Sequence, residues 1–567
     1  MTILKCQTAS PGIAIGNASL IRQEEFRIPT KKIREHEIET ELSRFNDCTN
    51  KLITDIDSMI SNFEHSQDNK DILETHKMIL TDPELEHKIS SRIKNDLSGL
   101  EHAISEHFEE VVGFFQKMDN EYLSLRSSDY RDVASRMLRH LLKLDDKRFE
   151  KLTENSIVIM KDITPSMVTK IFEKKVRGLC IEKGSKNSHS AIIARSLSIP
   201  MLINCQELVK KIHQDQTLII DGHNAELIIT PGKKLLEKFS KMQNEELEKQ
   251  QILLKILNVQ TKTVDGKPIT LMSNIEIPEE ILPVLANKSE GIGLFRTEFL
   301  FLGKTEFPDE NEQAKIYREI AEKIAPNPLI IRTIDIGGDK LSELLNITNE
   351  ENPNLGCRGI RLSFENMKIF KTQIRAILKA NTKGNVKIMF PMITSVWEIE
   401  KAKKIVRKCY SEMNCKNAEI PIGAMIEIPS AALSSEQIAR ECDFLSIGTN
   451  DLIQYTLAVD RDNHHVSDYY DPFHPAILQL IKLTIDSAHK AGIKTAVCGE
   501  LASNKEFLPL LIGFGIDELS VSPGKMLQIK KQILEQDYQA AEKIALKCLK
   551  AKNSKNIQRI LKSYNPI

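Results

Sequence analysis

The chain has 567 residues, room for about three or four domains of ordinary size. Its 78 basic and 79 acidic side chains leave a formal net charge of -1, which excludes binding to nucleic acid or to a membrane surface by bulk charge, so any partner must be recognised locally. The ten cysteines show no C-x-x-C pair or zinc-type spacing, no run nears about 18 consecutive apolar residues, and no basic-then-apolar leader opens the chain; a soluble cytoplasmic protein with mostly buried, reduced thiols is expected.

Residues 1–22 and 144–231 carry short β-rich pieces, among them "NSIVIMKD" at 155, "VRGLCIEKG" at 176, "QTLIIDG" at 216 and "AELIITP" at 225. Residues 33–143 instead keep a helical period, with Ile38, Leu42, Phe45, Leu52, Ile56 and Met59 recurring at three, four or seven. At 81, "TDPELEHKI" sets Thr81 three residues before Glu84, a capping-box pattern with Pro83 in the first turn, so one helix should end there and another begin. The economical reading is one α/β domain, residues 1–22 and 144–231, into which a helical bundle, residues 23–143, is inserted. Over 31–143 there are 16 basic and 23 acidic side chains, so a basic partner whose association weakens with salt is expected there.

In "GSKNSHSAIIARSLSIP", residues 184–200, His189 lies between two serines and ahead of an apolar run. A helix beginning at Ser188 or Ser190 would be capped by its own hydroxyl and would bury Ala191, Ile192, Ala194 and Leu197. The positive helix end disfavours an imidazolium and favours a nearby anion, which would leave His189 a neutral nucleophile beside a place for phosphate. A half-buried capping histidine satisfies the same pattern, so this stretch alone does not decide. Next, "GKKLLEKFSKMQNEELEKQQILLKIL" from 232 is charged and helical, and residues 232–259 read as a solvated linker helix.

From 260 to 567, eight short apolar strands alternate with helices: "PITLMS", "EGIGLF", "PLIIRTID", "VKIMFP", "IGAMIEI", "DFLSIG", "KTAVCG" and "IDELSVS". That pattern predicts a (β/α)8 TIM barrel, whose active site sits at the carboxyl ends of its strands. The residues leaving the apolar runs form a set: Arg296, Arg332, Glu427, Asn450, Asp451, then Arg461, and Cys498. Arginine forks match phosphate oxygens, and Mg2+ takes one or two carboxylates with substrate oxygens and water, so the set suits a small phosphorylated acid.

These motifs carry a resemblance. "DFLSIGTNDLIQYTLAVDR" at 443, "IGAMIEIPSAA" at 422, "IMFPMI" at 388, "RTIDIGGDK" at 332, "GIGLFRTEFL" at 291 and "CGELAS" at 498 are similar to the barrel of the phosphoenolpyruvate–protein phosphotransferases, enzyme I of the bacterial sugar phosphotransferase system. The likeness extends through "ASPGIAIGNA" at 9, "DITPSM" at 162 and "SHSAIIARSLSIP" at 188. It implies a multidomain α/β protein: a swivelling phosphohistidine domain with an inserted helical HPr-binding domain, followed by a barrel that binds phosphoenolpyruvate and forms a homodimer. It implies that phosphoenolpyruvate phosphorylates His189, that the phosphoryl group passes to a histidine of the carrier HPr, and that pyruvate is released. Arg296, Arg332 and Arg461 would then hold the substrate, Asn450 and Asp451 contact it, Glu427 and Asp451 ligate Mg2+, and Cys498 protonate the enolate. Ser185, Asn187, Cys357 and Asp462 depart from the family pattern. A related pyruvate–phosphate dikinase would need an ATP-binding domain, and the helical insertion offers no glycine-rich phosphate loop.

Overall fold

A computed structural model describes the chain except residues 22–27, 31, 63–66, 118–120, 145–148, 164–166, 168, 169, 173, 185–188, 197, 198, 302–306, 338–349, 414–418, 462, 464 and 565–567. The chain divides into two compact units, Met1–Leu247 and Glu248–Ile567.

The first unit holds an eight-stranded sheet: β1 (Thr2–Lys5), β2 (Gln7–Ser10), β3 (Ile13–Ile21), β4 (Ser156–Met160), β5 (Gly178–Ile181), β6 (Met201–Ile203), β7 (Thr217–Asp221) and β8 (Glu226–Ile229). Their order is β1-β8-β7-β3-β4-β5-β6-β2, with β3 to β6 parallel and the remaining pairings antiparallel. β1 and β2 are separated in sequence only by Cys6 yet lie at opposite ends of that order, so the sheet curls until its two edges meet. The runs "SIVIM" and "GLCI" are buried throughout because both faces of the parallel strands are covered.

Between β3 and β4 lie the helices α1 (Ile38–Asn62), α2 (Gln67–Leu80), α3 (Pro83–Asn95), α4 (Leu100–Lys117) and α5 (Glu121–Leu141). Phe45, Leu52 and Ile56 of α1 join Ile89, Ile93, Leu100, Ile104, Val133 and Met137 in one core, with Ile38 and Leu42 at its margin; the Met59 side chain lies outside the described residues. The cap of α3 differs from the capping-box expectation. Pro83 takes the first helical position, so the cap falls on Asp82, whose carboxylate accepts the Glu84 N–H at 2.8 Å. The Thr81 hydroxyl instead donates to the Lys77 carbonyl at 2.9 Å, closing the end of α2.

Helix α6 (His189–Ser196) opens on His189 itself, and its Ala191 and Ala194 pack on Val158, Leu179 and Ile181 of the sheet. The side chain of Ile192 and residues Ser188 and Leu197 lie outside the description. Helix α7 (Lys233–Lys255) is not solvated along its first half: Phe239, Leu235, Leu236 and Met242 cover Ile13, Ile219 and Ile228. Leu247, Ile252 and Leu254 further along it are exposed. Against the expectation of reduced thiols, Cys6 and Cys205 form a disulfide; Cys48, Cys180, Cys409, Cys442, Cys498 and Cys548 are free and buried, and Cys357 is free and half-buried.

In the second unit, β9 (Thr270–Ile275), β10 (Ile292–Phe295), β11 (Leu329–Arg332), β12 (Val386–Phe390), β13 (Ile422–Ile426), β14 (Phe444–Ile447), β15 (Lys494–Val497) and β16 (Glu518–Val521) are all parallel. They close into a barrel through the β16–β9 pair, as the eight apolar runs led one to expect. Along each strand the side chains alternate. Leu329, Ile331, Ile388, Phe390, Ala424 and Ile426 face the surrounding helices, while Leu294, Ile330, Met389, Met425 and Phe444 fill the barrel interior together with Cys498.

Candidate active site at the barrel mouth

Strand alternation explains why the mouth is charged. Arg296 stands two residues past Leu294, Arg332 two past Ile330 and Glu427 two past Met425, so each continues the interior face just where the apolar filling ends. The Arg332 guanidinium lies on that filling, with Nη1 3.8 Å from the Met425 sulfur. Out-of-phase neighbours turn to the helices instead: the Thr297 hydroxyl donates to the Arg332 carbonyl at 3.0 Å and accepts from buried Gln373 at 3.1 Å.

Arg332 is buried and doubly paired, Nη2 to Glu298 at 2.8 Å and Nη1 to Asp335 at 2.9 Å. Burial opposes its charge, but Glu298, Asp335, Glu427 and Asp451 outweigh it and raise its pKa. Arg358 reaches Asp335 from the loop between β11 and β12, with Nη2 3.2 and 3.1 Å from the two carboxylate oxygens, and lies 3.5 Å from Asp451. Its Nη1 donates to the Tyr455 hydroxyl at 3.3 Å. Burial would raise the Asp335 pKa, but Arg332 and Arg358 hold it below the usual carboxylate range.

Glu427 behaves in the opposite way. Burial, and then repulsion from Asp451 and Asp335, push its pKa well above the usual range. Its Oε1 accepts the Met392 N–H at 2.7 Å. A Cβ on Gly448 would come 2.7 Å from Oε2, so glycine there leaves that oxygen open. Oxygens of Asp335, Glu427 and Asp451 lie within 4.8 Å of one another, and Asp451 Oδ1 is buried without a hydrogen bond. Two guanidiniums, Arg332 and Arg358, thus face four carboxyl groups, Glu298, Asp335, Glu427 and Asp451. Carboxyl groups outnumber guanidiniums here, and the raised Glu427 pKa marks a negative charge that a hard divalent cation would stabilise; an all-oxygen donor set suits Mg2+. Asp335 is closely bonded to Arg332 and Arg358, whereas Asp451 Oδ1 has no hydrogen bond, so Glu427 and Asp451 are the pair that could hold it.

At the rim, Arg461 is partly exposed and 3.7 Å from Asp451, and Arg296 is paired with exposed Glu276. Asn450 and Glu500 hold each other, the Asn450 amide donating to the carboxylate at 3.3 Å and its oxygen accepting the Glu500 N–H at 3.1 Å. Cys498 is buried beneath the charged layer with its thiol 3.7 Å from the Ile447 carbonyl, and burial raises its pKa, so it is held as the thiol.

The structure therefore brings Arg332, Glu427 and Asp451 together at the centre, with Arg461, Asn450, Arg296 and Cys498 around them. Asp335, Glu298 and Arg358 are additions to the strand-end set. Asp335 and Glu298 were legible by the same rule, since each follows an apolar run in "RTID" and "FRTE". Arg358 was not, because it stands far along the chain from any strand end. His189 begins α6, but its side chain, like residues Ser185, Asn187 and Asp462, lies outside the description. Cys357 donates its backbone N–H to Glu350 at 2.8 Å.

A parallel barrel with a carboxylate and arginine mouth defines an enzyme for small phosphorylated acids. The chain matches three family models: "PEP-utilising enzyme, PEP-binding domain" over residues 250–538, "PEP-utilising enzyme, N-terminal" over 5–126 and "PEP-utilising enzyme, mobile domain" over 152–225. It is 38% identical to the phosphoenolpyruvate-protein phosphotransferase of Bacillus subtilis, covering 99% of both chains. Identity to the enzyme of the same name is 39% in Priestia megaterium, over 93% of this chain and 92% of that one, and 38% in Buchnera aphidicola, over 98% and 99%. The chain belongs to the phosphoenolpyruvate–protein phosphotransferase family.

Proposed function

We infer that this chain carries out the family's reaction as the general phosphotransferase of a sugar phosphotransferase system. It moves the phosphoryl group of phosphoenolpyruvate to its own His189, then to a histidine of HPr, and releases pyruvate. The observation that carries the reading is the barrel mouth, where a buried cluster with more carboxyl groups than guanidiniums lies beside two accessible arginines.

Arg332, held by Glu298 and Asp335, is fixed before substrate arrives and needs no reorganisation as charge shifts off the phosphate. Arg296 and Arg461 can exchange their carboxylate partners for the substrate phosphate and carboxylate, and Asn450 with Asp451 completes the contact. Glu427 and Asp451 would hold Mg2+, which when bound would supply Lewis-acid stabilisation of developing negative charge. Cys498, kept protonated by burial, delivers the proton to C3 that makes pyruvate. His189 holds the first position of α6, where a helix N-terminus favours a nearby anion such as a phosphoryl group.

In this reading residues 1–22 and 144–231 form the phosphohistidine domain, 23–143 the HPr-binding insertion, 232–259 the connecting helix, and 260–567 the substrate and dimerisation barrel. The excess of acidic side chains over 31–143 favours a basic carrier. Reacting atoms must approach within about 3.5 Å, so His189 has to meet phosphoenolpyruvate and HPr by turns, and the domain carrying it swings. The barrel exposes Leu355, Leu433 and Tyr469, apolar surface of the kind a homodimer covers. No described helix is long and apolar enough to cross a membrane, which fits the cytoplasmic placement proposed here.

The test is incubation with labelled phosphoenolpyruvate and Mg2+, with and without HPr, scored for acid-labile label. His189→Ala should form no phosphoenzyme while its barrel still binds phosphoenolpyruvate, and label on that variant would sink the assignment. A chain lacking residues 31–143 should label itself but fail to pass the label to HPr.

A further inference from the structure

We propose that Cys6 and Cys205 are a reversible thiol–disulfide site that staples the start of β2 to the end of β6 and, through Asn204, tightens the backbone at Gly184. The placement is specific. Cys6 is the single residue between β1 and β2, the two edge strands, and Cys205 lies just past β6, on which β2 pairs. Their Cα atoms are 4.6 Å apart, inside the range a disulfide requires.

The surroundings give the two sulfurs different roles. Cys205 is fully buried, packed with Leu208, Ile212 and Leu218, and its backbone N–H donates to the Ile181 carbonyl at 3.2 Å. Cys6 is only half-buried at the seam, with its N–H bonded to the Ala225 carbonyl at 2.9 Å. Cys6 is therefore the sulfur that an external reagent reaches first. Its thiolate attacks a small-molecule disulfide, breaking that S–S bond and releasing one thiolate. The Cys205 thiolate then attacks the Cys6 sulfur and releases the second. Two electrons pass from the protein sulfurs to the small disulfide, and the two thiol protons pass through solvent to the leaving thiolates.

The coupling runs through the residue beside Cys205. Asn204 adopts a left-handed backbone with φ 55°, its amide donates to Gln7, next to Cys6, at 3.1 Å, and its oxygen accepts the Gly184 N–H at 3.2 Å. Gly184 begins the stretch that ends at His189. Gln7 and Asn204 each neighbour one of the paired cysteines, so the disulfide fixes the first two members of the Gln7–Asn204–Gly184 chain of hydrogen bonds, and Gly184 is the member that responds.

The full chain should be equilibrated with glutathione disulfide, or with dithiothreitol, then alkylated and digested. The proposal expects Cys6 and Cys205 peptides joined in the first sample and both alkylated in the second. Two alkylated thiols after oxidation, or a lasting glutathione adduct on Cys6, would overturn it. Amide exchange over 178–184 and 201–205 should be at least tenfold slower in the oxidised protein, with barrel peptides unchanged and with no oxidant response in Cys6→Ser. Equal exchange in both redox states would overturn the coupling to Gly184.

Discussion

The barrel mouth and the helical insertion use charge in opposite ways. At the mouth, Arg332, Glu427, Asp451 and the Asp335 side chain are buried and lean on one another, so the Asp335 pKa falls, the Glu427 pKa rises and the geometry is fixed. In the insertion the ion pairs are largely at the surface, such as Arg92 with Glu106 and Glu110, or Lys77 with Asp57. Water screens such pairs and leaves them free to choose partners, whereas the dry cluster is pre-set for chemistry at one point. His76 of the insertion departs from this, fully enclosed with Nε2 3.9 Å from both Asp129 and Asp132.

Breaking the dry cluster should have the largest effect. Arg332→Met strands Glu298 without its buried cation and leaves Asp335 with Arg358 alone, a loss of about 3–5 kcal/mol by analogy with other buried pairs. Self-labelling from phosphoenolpyruvate should fall at least about a thousandfold, the scale of one pre-set oxyanion donor. Urea denaturation of the barrel followed by Trp397 fluorescence, with labelling rates, checks both, and a variant of ordinary stability would end the contrast drawn here.

Beneath the cluster, Cys498→Ala should bind phosphoenolpyruvate but turn over about a hundredfold or more slowly, the range for a lost general acid. If the variant places solvent deuterium in C3 of pyruvate at the unaltered rate, Cys498 is only barrel filling.

His76 sharpens the comparison within the insertion. Burial, opposed by Asp132, lowers its pKa from 6.5 to about 4, so between those values the folded state is neutral while the unfolded state takes up a proton. The unfolded state binds more protons, so stability is full above pH 6.5 and is lost as pH falls, by roughly 3 kcal/mol once below the folded value. Urea midpoints from amide exchange of α1 to α5, taken between pH 7 and pH 4, should show that loss. His76→Leu should flatten it, and an unchanged slope would assign the effect elsewhere.

The smallest effect belongs to the surface. Arg92→Met removes contacts to Glu106 and Glu110, yet should cost no more than about 1 kcal/mol because both carboxylates remain hydrated. A larger loss in the thermal midpoint would show that this pair is not of the screened kind.

Much of this was legible before any coordinates. The eight apolar runs specify parallel strands because their length and spacing leave room for one helix between each pair, and the period of two then points Arg296, Arg332 and Glu427 into the mouth. The helical period of 33–143 likewise specifies the insertion, since the same residues that repeat in sequence must share a face. What the linear order could not express were contacts between segments far apart in the chain. Arg358 stands far along the chain from any strand end, yet it meets Asp451, which follows β14, only because the barrel gathers its strand ends at one mouth. Cys6 and Cys205, 199 positions apart in sequence, meet only because β2 pairs antiparallel on β6 with Gln7 opposite Ile203. Local pattern follows from each residue's own backbone geometry and is written in spacing, whereas pairings of this kind depend on closure of a whole sheet or barrel, which no single segment encodes.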